Sequence, residues 1–225
     1  MKTKLFAIIP VLTSIFICLT AGAAEAATSP TYDVTVTYTA DNYVNNWWLK
    51  NDSGVELLSA GENRDDWKVA DTETFQLDAY QTHELIWEVF NFSGPGGFLG
   101  QIDSDATGWP GTYPSSAEWF VAIQNPDFSG LNFDVLNWEA ASEYGRNDEG
   151  STVWYDANGG PVAGIAGNAE WIWTDKNDPP SSIHNYAFVK GVLHAVPIPG
   201  AVWLLGTGLA SLLVIRRKGK SIQLF

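Results

Sequence analysis

Thiols are all but absent from this 225-residue chain: Cys18 is its one cysteine, and His83, His184 and His194 are its only histidines. No disulfide framework can form within it, and a zinc site would have to draw most of its ligands from carboxylates. Basic residues are scarce away from the two ends. Positions 27–195 hold six basic and 25 acidic residues, a net charge of about −19 against −14 for the whole chain. Such a charge repels nucleic acid and anionic membrane surfaces, permits divalent cations and neutral sugars, and by like-charge repulsion keeps a protein soluble. No Gly-x-Ser-x-Gly elbow, His-Glu-x-x-His pair or phosphate-cradling loop occurs, so no catalytic group is singled out. Paired carboxylates for glycoside hydrolysis stay open in so acidic a chain, because that chemistry depends on separation in space.

The ends are strongly marked. Met1-Lys2-Thr3-Lys4 is a short cationic start, Leu5 to Thr20 is almost unbroken in apolar character, and small residues follow at Ala21-Gly22-Ala23-Ala24-Glu25-Ala26-Ala27. That layout predicts a secretory signal peptide over 1–26, cleaved after Ala26, with Ala23 as the second choice. Ile17 precedes Cys18, where a lipoprotein attachment site needs a small residue, so the thiol is expected to leave with the signal. At the other end Val196 to Ile215 is apolar apart from Thr207 and Ser211, and Arg216-Arg217-Lys218-Gly219-Lys220 follows at once. Its length suits one membrane-spanning helix of about 20 residues, and the basic tail places residues 221–225 in the cytoplasm.

Val196-Pro197-Ile198-Pro199-Gly200, the apolar run and the Arg216-Arg217-Lys218 stop together resemble the PEP-CTERM sorting signal of Gram-negative bacteria, over about the last tenth of the chain. Ile198 departs from the pattern, which has Glu between the prolines, but apolar variants are familiar in that family. The resemblance implies an exosortase as partner, a membrane cysteine-type peptidase that cuts near the Pro-x-Pro, and hence transient anchoring followed by a cell-surface or extracellular location. Two prolines hold the backbone extended and free of donors above the helix, as a protease substrate requires.

Residues 27–195 make one domain with ample core. Tyr32 to Tyr38 alternates apolar and polar strictly, His83 to Phe90 places Leu85, Trp87 and Val89 on one face, and Ser116 to Gln124 does the same with Trp119, Val121 and Ile123. Shorter strands are expected at Thr74–Leu77, Phe98–Ile102, Leu131–Val135, Thr152–Tyr155, Glu170–Thr174 and Asn185–Leu193. Turn chemistry separates them at Asn51-Asp52-Ser53-Gly54, Ser93 to Gly97, Asn147 to Gly150 and Asn158 to Pro161. Many short strands without a long amphipathic helix predict an all-β fold, an antiparallel β-sandwich of jelly-roll type. Thr39 to Asn42, Trp67 to Ala70, Asn91 with Gly94 to Leu99, Trp138 to Gly145 and Ala169 to Trp173 resemble, in order, landmarks of the galactose-binding-like jelly-roll modules. That likeness implies a ligand site, where one exists, among the loops at one edge; fold alone does not give function.

Two sets of candidate residues stand out. Trp47, Trp48, Trp109 and Tyr113 fall in or beside expected loops, where an aromatic ring flanked by Asn and Asp can stack on a sugar's apolar face; Trp87 and Trp119 are expected in the core. The competing account is burial, since ten of the 11 tryptophans lie in this domain. Asp103 and Asp105 begin like a calcium loop, but Pro114 occupies the twelfth position where an EF-hand has its acidic ligand; Asn147, Asp148 and Glu149 form a second acidic turn. The expectation is a non-enzymatic, exported, cell-envelope or exopolysaccharide-associated protein that binds glycans, with calcium as its one candidate cofactor. A matrix protein without ligand and a glycoside-active enzyme are the alternatives.

Overall fold

The computed structural model describes residues 30–58, 61–63, 65–92, 94–105, 111–123, 132–174 and 186–195. Both apolar ends, and with them the expected signal peptide and all of Val196, Pro197, Ile198, Pro199, Gly200, Arg216, Arg217 and Lys218, lie outside these residues. Among the described residues no helix is long and apolar enough to cross a membrane.

Alternating side chains give strands wherever the period of two is clean. β1 (Thr31–Asp41), β4 (Asp71–Asp78), β5 (His83–Phe90), β6 (Gly97–Ser104), β11 (Glu170–Trp173) and β12 (Tyr186–Leu193) coincide with expected strands. β2 (Tyr43–Asn51), β3 (Gly54–Leu58), β7 (Gly111–Pro114), β9 (Glu139–Ala140) and β10 (Ser142–Arg146) are additional, and β8 (Phe120–Ala122) is the short remnant of the strand expected over Ser116–Gln124. A turn held by Trp119 N–H on the Ser116 carbonyl (3.0 Å) displaces the start of that strand.

Two more expected strands are corrected. Thr152–Tyr155 opens α1 (Val153–Asn158), because the Thr152 hydroxyl accepts the Tyr155 N–H as an N-cap and Gly159, at φ 74°, closes the helix in the left-handed region. Leu131–Val135 ends as a 3₁₀ turn over Phe133–Val135, started by the Asn132 side chain accepting from Asp134 N–H.

The strands pair antiparallel in two sheets. Sheet A runs β10-β11-β6-β1-β4, with β7 also on β6; sheet B runs β3-β2-β5-β12-β8-β9. The core lies between them, drawing Val34, Val36, Tyr38, Phe98 and Ile172 from sheet A and Trp47, Leu85, Trp87, Val89 and Val189 from sheet B. The all-β sandwich is thus as expected. At its centre Trp47 and Trp87 stack at 5.8 Å and 4°, and Trp87 and Trp119 at 5.6 Å and 20°. Tyr38 reaches across from β1 to within 5.9 Å of Trp47 and 5.8 Å of Trp87, which ties the sheets together. Such ring pairs contribute about 0.5–1.5 kcal/mol each beyond the area they bury.

Each sheet also has a partly covered outer face. On sheet A, Leu99 and Trp171 pack against Trp154 of α1, Val162 and Ile165. Gly97 makes this possible, since a Cβ there would stand 2.8 Å from the Trp154 ring. On sheet B, Ile86, Ala122 and Phe188 pack under Phe133, with Trp48, Leu136 and Trp138 at the margins.

Candidate functional site

The outer face of sheet B is built from β5 outward. Leu85, Trp87 and Val89 point into the core, so alternation turns Glu84, Ile86 and Glu88 to the other side. Opposite them β2 contains a bulge: Val44 pairs with Val89 and Asn46 with Glu88, which leaves Asn45 as an extra residue. Bulges of this kind re-aim side chains. Here two successive amides converge on one carboxylate, Asn45 Nδ2 and Asn46 Nδ2 donating to Glu88 Oε2 at 2.7 and 2.8 Å. The Tyr43 hydroxyl donates to Asn45 Oδ1 (3.2 Å) and orients that amide. Glu88 is 1% exposed, yet among the described residues its Oε1 has no hydrogen-bond partner.

Aromatic rings adjoin this carboxylate. Phe188 lies directly across from Glu88 on β12, and Phe90, next on the same face of β5, stands between Tyr43 and Tyr186. The Phe92 ring packs edge-on to Phe90 at 4.4 Å and is 66% exposed. Its N–H is anchored on Asn42 Oδ1 at 2.8 Å.

The other end of the same face is electrostatically closed. Lys50 and Lys190 both donate to Glu84, at 2.8 and 2.9 Å, and Lys50 also reaches Asp134. Burial pushes the Glu84 carboxyl up, but the two ammonium groups outweigh it and hold the group below its ordinary 4.5. Lys190 sits 4.3 Å over the Trp138 ring. Neither cation serves Glu88.

Sheet A treats its buried polar groups differently. Asp41, 7% exposed, receives Trp154 Nε1 at 2.9 Å on one oxygen and Asn42 Nδ2 at 2.7 Å on the other. Burial raises its pKa above 3.8, and the Trp154 bond opposes that rise.

The residues singled out in the sequence do not come together. Trp47 is a correction: it belongs to β2 rather than a loop, is fully buried in the central stack, and offers no ring face to a ligand. Its neighbour Trp48 points to the outer face of sheet B, half-buried against Phe133 (5.1 Å) and Phe188 (6.0 Å). Tyr113 lies on β7 of sheet A, half-buried against the core, and Trp109 lies outside the described residues. Trp87 and Trp119 are core residues, as expected.

The acidic turns are largely committed to the fold. Asp103 is on β6 and accepts from Gln101 Nε2 (2.6 Å) and the Thr112 hydroxyl, while Asp105 is exposed beyond the strand end. Asn147 is buried and spends its amide on Val162 and Ile165, Asp148 pairs with Arg146, and Glu149 accepts from Arg146 N–H and Ser151. Among the described residues no group of three or more His, Cys, Asp or Glu is placed to hold a metal ion.

Comparison with known proteins adds no relative. No family model, curated protein or solved structure matches the chain. Glu88, Asn45 and Asn46 are not among the sequence-derived candidates. The signal that marks them is the Asn45-Asn46 pair between Val44 and Trp47, which breaks a period-two pattern by one residue.

Proposed function

We propose that this chain is an exported cell-envelope or matrix protein, processed by an exosortase at its C-terminal sorting signal, whose β-sandwich is a non-enzymatic glycan-binding module. Export and processing rest on the two ends of the sequence. The glycan reading rests on one structural observation, the grouping of Asn45, Asn46 and Glu88 beside the rings of Tyr43, Phe90, Phe92 and Tyr186 on the outer face of sheet B. Rings for a sugar's apolar face and amide or carboxylate groups for its hydroxyls are the pairing that carbohydrate requires. The jelly-roll assignment draws support from the chain's repeated passage between sheets, from β1 to β2, β3 to β4, β4 to β5 and β5 to β6.

The two carboxylates of β5 argue against their acting together as a hydrolytic pair. Glu84 and Glu88 are four residues apart on one strand, about 13 Å at a rise of about 3.3 Å per residue. Glycosidase pairs stand about 5–9.5 Å apart and need one protonated member. Glu84, held ionised by two lysines, is no such acid.

Affinity electrophoresis of the full-length chain in detergent, through gels containing its producer's polysaccharides with and without calcium, tests the reading. Retardation supports a glycan-binding module; unchanged mobility under both conditions replaces it with a matrix protein that has no glycan ligand.

A further inference from the structure

We infer that Glu88 Oε1 is the recognition atom of the site, accepting hydroxyl protons from a neutral sugar, and that the site rejects uronic-acid polysaccharides; this rests on the glycan-binding reading above. An ionised carboxylate accepts hydrogen bonds and donates none. Both amides that reach Glu88 end on Oε2, and among the described residues no donor reaches Oε1. A buried acceptor left in this state carries a desolvation penalty, and native structures hold few of them. What answers it supplies a donor or a positive charge: water in the free protein and, in a complex, a hydroxyl, an ammonium group or a metal ion.

The surroundings decide among these. Calcium takes six to eight oxygens. Here Oε2 already holds two N–H groups and Asn45 Oδ1 is occupied by the Tyr43 hydroxyl, which leaves too few oxygens for that ion. No ammonium group of the protein's own is at hand there, because Lys50 and Lys190 are committed to Glu84. A sugar fits both halves of the site: its hydroxyl edge reaches Oε1 while its C–H face lies on the exposed Phe92 ring, which packs on Phe90 one same-face position beyond Glu88. An anionic sugar would set a second carboxylate against Glu88 in a domain already carrying about −19. Since Glu88 is 1% exposed, a rim side chain must swing aside on binding, which makes association slower than at an open surface.

The test is affinity electrophoresis of the full-length protein in detergent against galactan, mannan, xylan and β-glucan as neutral probes and alginate as the acidic one. Wild type is expected to be retarded by at least one neutral polymer and not by alginate. Glu88→Gln, which keeps the shape but puts an N–H₂ where Oε1 stood, is expected to weaken that retardation by about 10- to 100-fold, as befits loss of a hydrogen bond to a charged group. Near-UV circular dichroism of the Trp47–Trp87–Trp119 stack reports whether the variant is folded. Should it not fold, Asn46→Ala, at a half-exposed position, loosens the same carboxylate and is expected to cost a smaller, measurable factor. Equal binding by wild type and the folded variant overturns the inference while leaving the glycan reading intact, and so does retardation by alginate alone. Wild type that binds none of the polymers removes the glycan reading itself.

Discussion

Asp41 and Glu88 are both carboxylates withdrawn from water, 7% and 1% exposed, Asp41 at the end of β1 in sheet A and Glu88 within β5 in sheet B. Around Asp41 every oxygen has its own donor, Trp154 Nε1 on one and Asn42 Nδ2 on the other. Around Glu88 two amides share one oxygen, and among the described residues the second has no donor. Burying a carboxylate is costly, and complete pairing is what makes it tolerable in a structural role. The difference separates a group that holds two layers together from one whose pairing the described residues leave unfinished.

The largest effect that can break this comparison is on stability. Trp154→Ala removes the centre of the sheet A outer cluster and leaves Asp41 without its indole donor, and is expected to cost about 3–5 kcal/mol in chemical denaturation. Glu88→Leu takes the acceptor from Asn45 and Asn46, whose half-exposed amides can turn toward water, and is expected to cost about 1–3 kcal/mol, less than Trp154→Ala. A severe loss in the second variant would show that Glu88 is as structural as Asp41.

Trp154→Phe sharpens the same contrast by deleting the indole N–H while keeping a ring, with an expected cost of about 1–3 kcal/mol from the unpaired carboxylate. Smaller again is the pH dependence. Because the folded pKa of Asp41 lies above its ordinary 3.8, the folded state binds that proton more tightly than the unfolded one. Stability therefore rises as pH falls from the raised value toward 3.8, and decreases as pH climbs back through that window. Glu84 has the opposite sign: held below 4.5 by its lysines, it contributes stability that is lost as pH falls below that value. Denaturation midpoints measured across this range are expected to lose the first component in Asp41→Asn and the second in Glu84→Gln. The smallest stability effect is expected for Phe92→Ala, less than about 0.5 kcal/mol at so exposed a position, accompanied by weakened retardation in polysaccharide gels.

Much of the sandwich was legible because its central strands alternate cleanly. Tyr32 to Tyr38 and His83 to Phe90 show which residues face inward before any pairing is known, and Trp87 follows directly into the core. β2 was not legible for the same physical reason that makes it interesting. The extra residue at Asn45 shifts the period by one, so Trp47 reads as a loop aromatic while its ring is at the centre of the molecule. Local capping by Thr152 and Asn132 turned two short apolar runs into helical turns, an outcome that strand propensity alone does not anticipate. The export and sorting segments are read from sequence alone, since both lie outside the described residues. An orphaned oxygen has no sequence signature at all; it emerges only when register, bulge and burial are known together.

The most direct test of the contrast between the two faces is nuclear magnetic resonance of the ¹⁵N-labelled full-length protein in detergent, titrated with oligosaccharides of a polymer that retards it. The side-chain amide signals of Asn45 and Asn46 and the backbone signals of Glu88 and Phe92 are predicted to shift together and saturably, while those of Asn147 and the Trp154 indole stay in place. Shifts confined to sheet A or to the Asp103–Asp105 end of β6, with the Asn45 and Asn46 amides unmoved, would contradict the assignment of the ligand to the outer face of sheet B.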